Sequence, residues 1–438
     1  MAQVTTLASY LARLIVLDPG HFHAALIQKE PSAEVSPQVS VYAPLGRELL
    51  DYLNRIYLFN TRSDNPAAWH LDIHCGGDFL EEMLEHRRGN VVILAGKNDR
   101  KISRVFASVQ GGLHVLADKP WIISSADLPK LEQSLRIADE QQLIAYDIMT
   151  ERYEITCQLQ RELVNDADIF GQLEPGTAEH PGVYARSVHN IMKSVSGLPL
   201  RRPGWFFDIK AQGEALADVG THVVDLVQWT AFPDQAIDYR SDLYVIAGRR
   251  WPLTITRAQF EAVTGESSFP TYLEPYVSGD HFDYFCNNFV HYTLRGVHVK
   301  LDIVWDWQAA AGAGDIYEAS FRGTKARVDA RQGQTENYRP ELYVAPASDS
   351  AVVFAALRRK LAVLQSRWPG LDFAIAGNEA RLIIPDAYRE GHEAHFAQVT
   401  RRFFDYLREP SSLPEWEAPN MLAKYYVTTR GVELSHRR

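Results

Sequence analysis

From residue 12 to about residue 147, short β-branched apolar runs alternate with longer stretches in which apolar residues recur every three or four positions. That alternation predicts a parallel sheet wrapped by helices, because each crossover helix must bury one apolar stripe against the strands it connects. Six strands are predicted at 13–17, 38–43, 71–74, 90–95, 114–117 and 143–146, with helices at 21–29, 78–86, 100–110 and 126–140. Six strands and their helices make one doubly wound domain, Rossmann-like in layout.

The texture changes after Asp147. A helix through Val164 is followed by a Pro- and Gly-rich stretch over 174–204, which reads as a loop over a sheet or an excursion toward a ligand, and then by a helix over 214–229. Between 242 and 328 the pattern is strand-like, and the runs YFCNNFVHYTLRG and VHVKLDIVWDW alternate cleanly on either side of Gly296. The last quarter mixes strands near 342–344 with a helix over 393–407. The predicted fold is therefore α/β, with a Rossmann domain over 1–150 and an α+β domain over 151–438 that carries a mainly antiparallel sheet.

Composition narrows the classes. With 46% hydrophobic and 23% charged residues the chain can bury a large core. Its formal charge of -10, with no basic run beyond Arg358-Arg359-Lys360, leaves no footprint for nucleic acid. Cys75, Cys157 and Cys286 are too scattered to frame disulfides or a zinc knuckle and read as reduced thiols of a cytoplasmic protein. The opening MAQVTTLASYLARLIVLDPG has no basic region ahead of its apolar stretch, which Arg13 interrupts, so neither a signal peptide nor a membrane span is expected.

The turn LDPGHFHAA, 17–25, joins the first strand to the first helix, where a dinucleotide fold carries Gly-x-Gly-x-x-Gly. Asp18, Gly20 and His23 occupy those three positions, so only the middle glycine remains, the one that lets the backbone approach a pyrophosphate. One reading is an altered cofactor loop with Gly20, His21, Phe22 and His23 at the ligand. A second takes Asp18, His21 and His23 as metal ligands, but the later strand ends, Ala95-Gly96-Lys97-Asn98 and Ala117-Asp118-Lys119-Pro120, lack the histidines of a metal-binding barrel. A third takes both histidines as ordinary helix-start residues. The cofactor reading is preferred, with no metal. The second strand ends in Val41-Tyr42-Ala43-Pro44 without an acid for the ribose hydroxyls; Tyr42 and Arg47 stand there instead, and an arginine accommodates a 2′-phosphate.

Two later motifs carry a family resemblance. HVLADKP, 114–120, resembles the Glu-Lys-Pro signature of the glucose–fructose oxidoreductase / inositol dehydrogenase family, with Asp118 in place of Glu. GEALADVGTHVVDLVQW, 213–229, is similar to its Gly-Gly-x-Leu-x-Asp-x-Gly-x-His-x-x-Asp segment, matching at Gly213, Leu216, Asp218, Gly220, His222 and Asp225, with Glu214 replacing a glycine. The turn Ala95-Gly96-Lys97-Asn98 resembles the family's Thr-Pro-Asn, keeping only Asn98. The resemblance spans roughly 13–229 and implies a second domain built on an open antiparallel sheet, oligomerisation through that sheet's outer face, and NAD or NADP as cofactor for oxidation or reduction of a sugar or cyclic polyol. It implies a cis peptide before Pro120 and a Lys119 that contacts the substrate hydroxyl and the nicotinamide ribose.

Hydride transfer at a carbinol carbon needs a base near its working pH. Lys119, just past the fifth strand, is the candidate. Asp218 and His222, four apart on the predicted helix, share one face, so His222 can relay a proton while Asp218 orients it or the substrate. With them as catalytic residues, the cofactor set is Gly20, His21, Phe22, His23, Tyr42, Arg47, Gly96, Asn98, Asp118 and Lys119. Two alternatives keep the fold: a glycoside-cleaving enzyme that oxidises a sugar carbon transiently with a retained cofactor, and a binding or regulatory protein that has lost the cofactor. Either Glu151 and Arg152 enter the cleft or Thr150 and Glu151 start the next helix, and Trp305 and Trp307 are expected to lie in the core.

Overall fold

The structure, a computed structural model, describes residues 11–195, 198–199 and 201–437. The reading of the first ten residues, and of 196, 197 and 200 within the Pro- and Gly-rich stretch, lies outside them. Two compact units divide the chain. The first takes the described residues up to Trp121, then Pro129–Thr150 and His392–Pro414; the second takes Ile122–Leu128, Glu151–Gly391 and the chain from Glu415 to 437.

The first unit holds β1 (Leu14–Leu17), α1 (His23–Leu26), β2 (Gln38–Ala43), α2 (Arg47–Thr61), β3 (His70–Cys75), α3 (Phe79–His86), β4 (Val91–Leu94), α4 (Lys101–Gln110), β5 (His114–Ala117), α5 (Leu128–Glu140) and β6 (Ala145–Asp147). The strands form one parallel sheet in the order β3-β2-β1-β4-β5-β6. Strands β1 and β4 are buried at every position, as continuous apolar runs must be between two helical layers. The order reverses between β1 and β4, and ligands of such sheets bind outside the carboxyl ends of the strands at that point. The predicted nine-residue first helix is only the single turn α1, because the buried ring of His23 sits where a glycine lets a longer helix pack on the sheet.

The second unit begins with α6 (Ile155–Val164) and β7 (Val183–Met192), followed by a small ribbon of β8 (Ser194–Val195) and β9 (Leu198–Pro199). Next come α7 (Gly220–Ala231), β10 (Leu243–Thr256), α8 (Arg257–Thr264), β11 (Val277–Ser278), β12 (His281–Leu294) and β13 (Val297–Gln308). Strands β14 (Ile316–Arg322), β15 (Ala326–Gln332) and β16 (Glu341–Pro346) precede α9 (Ser350–Leu364), β17 (Asp372–Ala376) and β18 (Glu379–Ile383). Helix α10 (His392–Arg408) returns to the first unit and α11 (Glu417–Ser435) closes the second.

Ten strands build the second sheet, in the order β10-β12-β13-β7-β14-β15-β16-β18-β17 with β11 beside β12. All its pairings are antiparallel except β13 with β7. The hairpin read at Gly296 is present, with Arg295 and Gly296 both at positive φ as a two-residue turn between twisted strands requires. The Pro- and Gly-rich stretch is not simply a loop: it contains β7, an interior strand flanked by β13 and β14. Trp305 is buried in the core of this unit and Trp307 packs against it, as expected. The three cysteines are free thiols, Cys75 exposed and the others buried. Among the described residues no helix is long and apolar enough to cross a membrane.

Candidate active site at the carboxyl edge of the parallel sheet

The turn after β1 folds back on the turn after β4. Asp18 adopts positive φ (46°), a conformation a glycine holds without strain, and its carboxylate meets Arg104 at 2.6 Å. Asp18 is thus held by α4 and is not brought to His21 and His23, which corrects the ligand trio considered from sequence. The amides of Gly20 and His21 both donate to the Ala95 carbonyl, at 2.8 and 3.0 Å. Gly96 makes this approach feasible: a Cβ there would lie 2.7 Å from the Asp18 carbonyl oxygen and 3.2 Å from the Gly20 nitrogen.

Around the same turn, Nδ1 of His21 lies 3.1 Å and Nδ1 of His23 3.0 Å from Oδ2 of Asp118, which follows β5. His23 packs its other edge on α10, with Nε2 2.9 Å from Nε2 of His392 and its ring 5.4 Å from that of Phe396. The ring of His23 therefore turns inward instead of facing solvent. Burial pushes His23 down to about 4 against the pull of Asp118, so it is neutral near pH 7. Burial opposes ionisation of Asp118 too, yet His23 and His21 hold its carboxyl well below the usual range. The contribution of His392 was not visible in the sequence, where only a helix on a core was read over 393–407.

Lys119 is half-buried immediately beyond Asp118, and the Lys119–Pro120 peptide is cis. Asn98 is buried and accepts from Lys101, whose ammonium also donates to the Asp118 carbonyl. Phe22 is half-buried and Arg47 exposed at the start of α2. Tyr42 requires a correction: its ring has no exposed surface and stacks on His74 at 4.6 Å, so it offers the site only its carbonyl, which accepts from the Asp18 amide.

In the second unit, the helix expected from 214 begins at Gly220. Asp218 stands in the preceding turn, where Gln212 donates to it at 3.0 Å, and His222 in the first turn of α7. Gly220 allows that turn to close, since a Cβ there would touch Leu216 and Ile303 at 3.0 and 3.2 Å. Asp225 is taken up structurally, paired with Arg152 at 2.6 Å and Lys424 at 3.1 Å; Arg152 also meets Glu417. Sequence reasoning missed Asp315, which accepts from His189, Asn190 and Lys193, and Arg202, stacked over Phe206 and Trp305. His189 and Asn190 lie on β7, inside the stretch first read as irregular.

These features fit a dinucleotide in part. The strand order, the side-chain-free approach at Gly20 and Gly96 and the exposed edge at His21 suit one; the short α1 and the amides spent on Ala95 mark a loop unlike the usual fingerprint.

The family described as "Putative oxidoreductase C terminal domain" matches residues 159–436. The chain belongs to this oxidoreductase family. A structure titled "putative oxidoreductase" from Parabacteroides merdae is 43% identical, covers 98% of each chain and superposes with a TM-score of 0.95. More distant is an oxidoreductase domain protein from Kribbella flavida, at 16% identity, 97% and 96% coverage and TM-score 0.62. KijD10, a 3-ketoreductase from Actinomadura kijaniata solved with TDP-benzene and NADP, is 12% identical over 95% of each chain with a TM-score of 0.55. A search of curated proteins returned no match. The two distant relatives share the fold of this oxidoreductase: a parallel N-terminal sheet with helices and a mostly antiparallel second sheet.

Proposed function

We propose that this oxidoreductase is NAD(P)-dependent and moves a hydride between the nicotinamide and a carbinol carbon of a sugar, sugar derivative or cyclic polyol. The observation that carries the reading is Lys119, half-buried beyond the carboxyl end of β5 and followed by a cis Pro120, where the resemblance to the glucose–fructose oxidoreductase / inositol dehydrogenase family puts its proton-transferring lysine. The NADP carried by KijD10 supports the cofactor class.

Gly20, His21, Phe22, Gly96 and Asn98 would hold the central and nicotinamide parts of the dinucleotide, and the exposed Arg47 the ribose of the adenosine. When bound, the nicotinamide supplies a hydride acceptor or donor. In the oxidative direction the carbinol carbon gives up its hydrogen with the bonding pair, and the Lys119 amine takes the hydroxyl proton as the carbonyl forms. Asp218 orients the substrate and His222 relays the proton. A homo-oligomer formed through the outer face of the large sheet belongs to the same reading.

The test is dinucleotide binding followed by absorbance at 340 nm across a panel of sugars and polyols. Lys119→Ala should lower kcat by about 10²–10⁴-fold. Wild-type protein that binds neither NAD nor NADP at millimolar concentration would sink the reading.

A further inference from the structure

We propose that His21, His23 and Asp118 form a site for one divalent transition-metal ion of the zinc class, with His392 holding His23 in the ligating orientation. The proposal stands apart from the dinucleotide reading and needs no cofactor. The two Nδ1 atoms and a carboxylate oxygen of Asp118 all lie within 4.8 Å of one another. Ligand bonds of about 2.0–2.1 Å around a tetrahedral ion place neighbouring donor atoms roughly 3.4 Å apart, close to the 3.0 and 3.1 Å separations from Oδ2.

The polar atoms of the cluster point to a ligand. Asp118 and His23 are buried, at 5% and 6% exposure, yet Oδ1 of Asp118 and Nδ1 of His23 have no hydrogen-bond partner. His23 approaches the carboxylate closely without the alignment of an N–H donor. A buried carboxylate with an unfilled oxygen is costly, and a cation that both imidazoles also ligate removes that cost.

The tautomers agree with this assignment. If Nδ1 of His23 lends its lone pair to an ion, its proton resides on Nε2, which sits 2.9 Å from Nε2 of His392 and can donate to it. Metal-bound imidazoles characteristically donate their second N–H to such an outer partner. Two imidazoles and one carboxylate, without a thiolate, suit Zn²⁺, Fe²⁺ or Co²⁺ and not Cu⁺. Three protein ligands leave a position open, and His21, whose side chain is 40% exposed, marks the accessible side. That position would take an oxygen ligand such as water, a sugar hydroxyl or a phosphate.

The experiment uses the full chain, stripped with chelator and free of dinucleotide, titrated with Co²⁺ alone and with Zn²⁺ alone at pH 7.5. One ion per chain is expected, with visible Co²⁺ bands. In His21→Ala or the milder His21→Gln, both at a partly exposed ring, affinity should fall by more than the ~10–100-fold typical of losing an outer partner. His392→Phe should fall within that range, and His180→Ala, an exposed histidine of the other unit, should bind as wild type. Substoichiometric uptake by folded wild-type protein, or equal uptake by both His21 variants, overturns the site. Either result leaves the dinucleotide reading intact, and failure of dinucleotide binding leaves this one intact.

Discussion

Asp18 combines a strained backbone with a favourable pair. Positive φ costs a side-chain-bearing residue about 1 kcal/mol relative to glycine, while Arg104 returns part of that cost through a partly buried contact. Asp18→Ala keeps the strain and loses the pair, whereas Asp18→Gly loses both. Urea unfolding should therefore rank Asp18→Ala below Asp18→Gly by about 1 kcal/mol; equal stability of the two would show that the backbone at 18 relaxes. The neighbouring histidines illustrate how far residues alone carry the reading. His21 and His23 could be singled out because they stand in the fingerprint turn, but the partner weighed for them there was Asp18 and the carboxylate they meet is that of Asp118. Asp118 lies on the other side of β4 in the sheet and His392 far along the chain, and no spacing rule connects them.

At the scale of elements, the buried Asp225 anchors α7 through Arg152 and to α11 through Lys424. Burial opposes its charge, but the two cations hold its carboxyl well below the usual carboxylate range. Because the folded form is the stronger acid, this contribution is complete above about pH 4 and is lost as the pH falls below it. Asp225→Asn should cost about 3–5 kcal/mol at pH 7, since it strands buried cations. The gap from wild type should shrink at pH 3, as read by the urea midpoint; a gap independent of pH would mean that the charge is not what stabilises. Uninterrupted apolar runs made the central parallel strands legible, and alternation of apolar and polar positions the hairpin at Gly296. Periodicity failed where packing decides. Strand β7 lay hidden among turn residues, since its extended form is imposed by β13 and β14 on either side. The start of α7 was misplaced because the residues from 214 pack as a turn closed at Gly220.

At the scale of the whole molecule, the first unit is discontinuous, and α10 supplies part of its core from near the far end of the chain. Phe396, 1% exposed, packs against His23 there. Phe396→Ala should destabilise that unit by about 3–5 kcal/mol, detected as earlier protease cleavage within residues 11–121; unchanged cleavage would assign α10 no stabilising share. The segment also imposes an order on biosynthesis. At about 5–20 residues per second, a ribosome that has finished residue 150 takes on the order of tens of seconds to deliver residue 414. Throughout that interval the nascent parallel sheet lacks the helix that packs Phe396 on His23, so the first unit completes its core only after the strands of the second have been made.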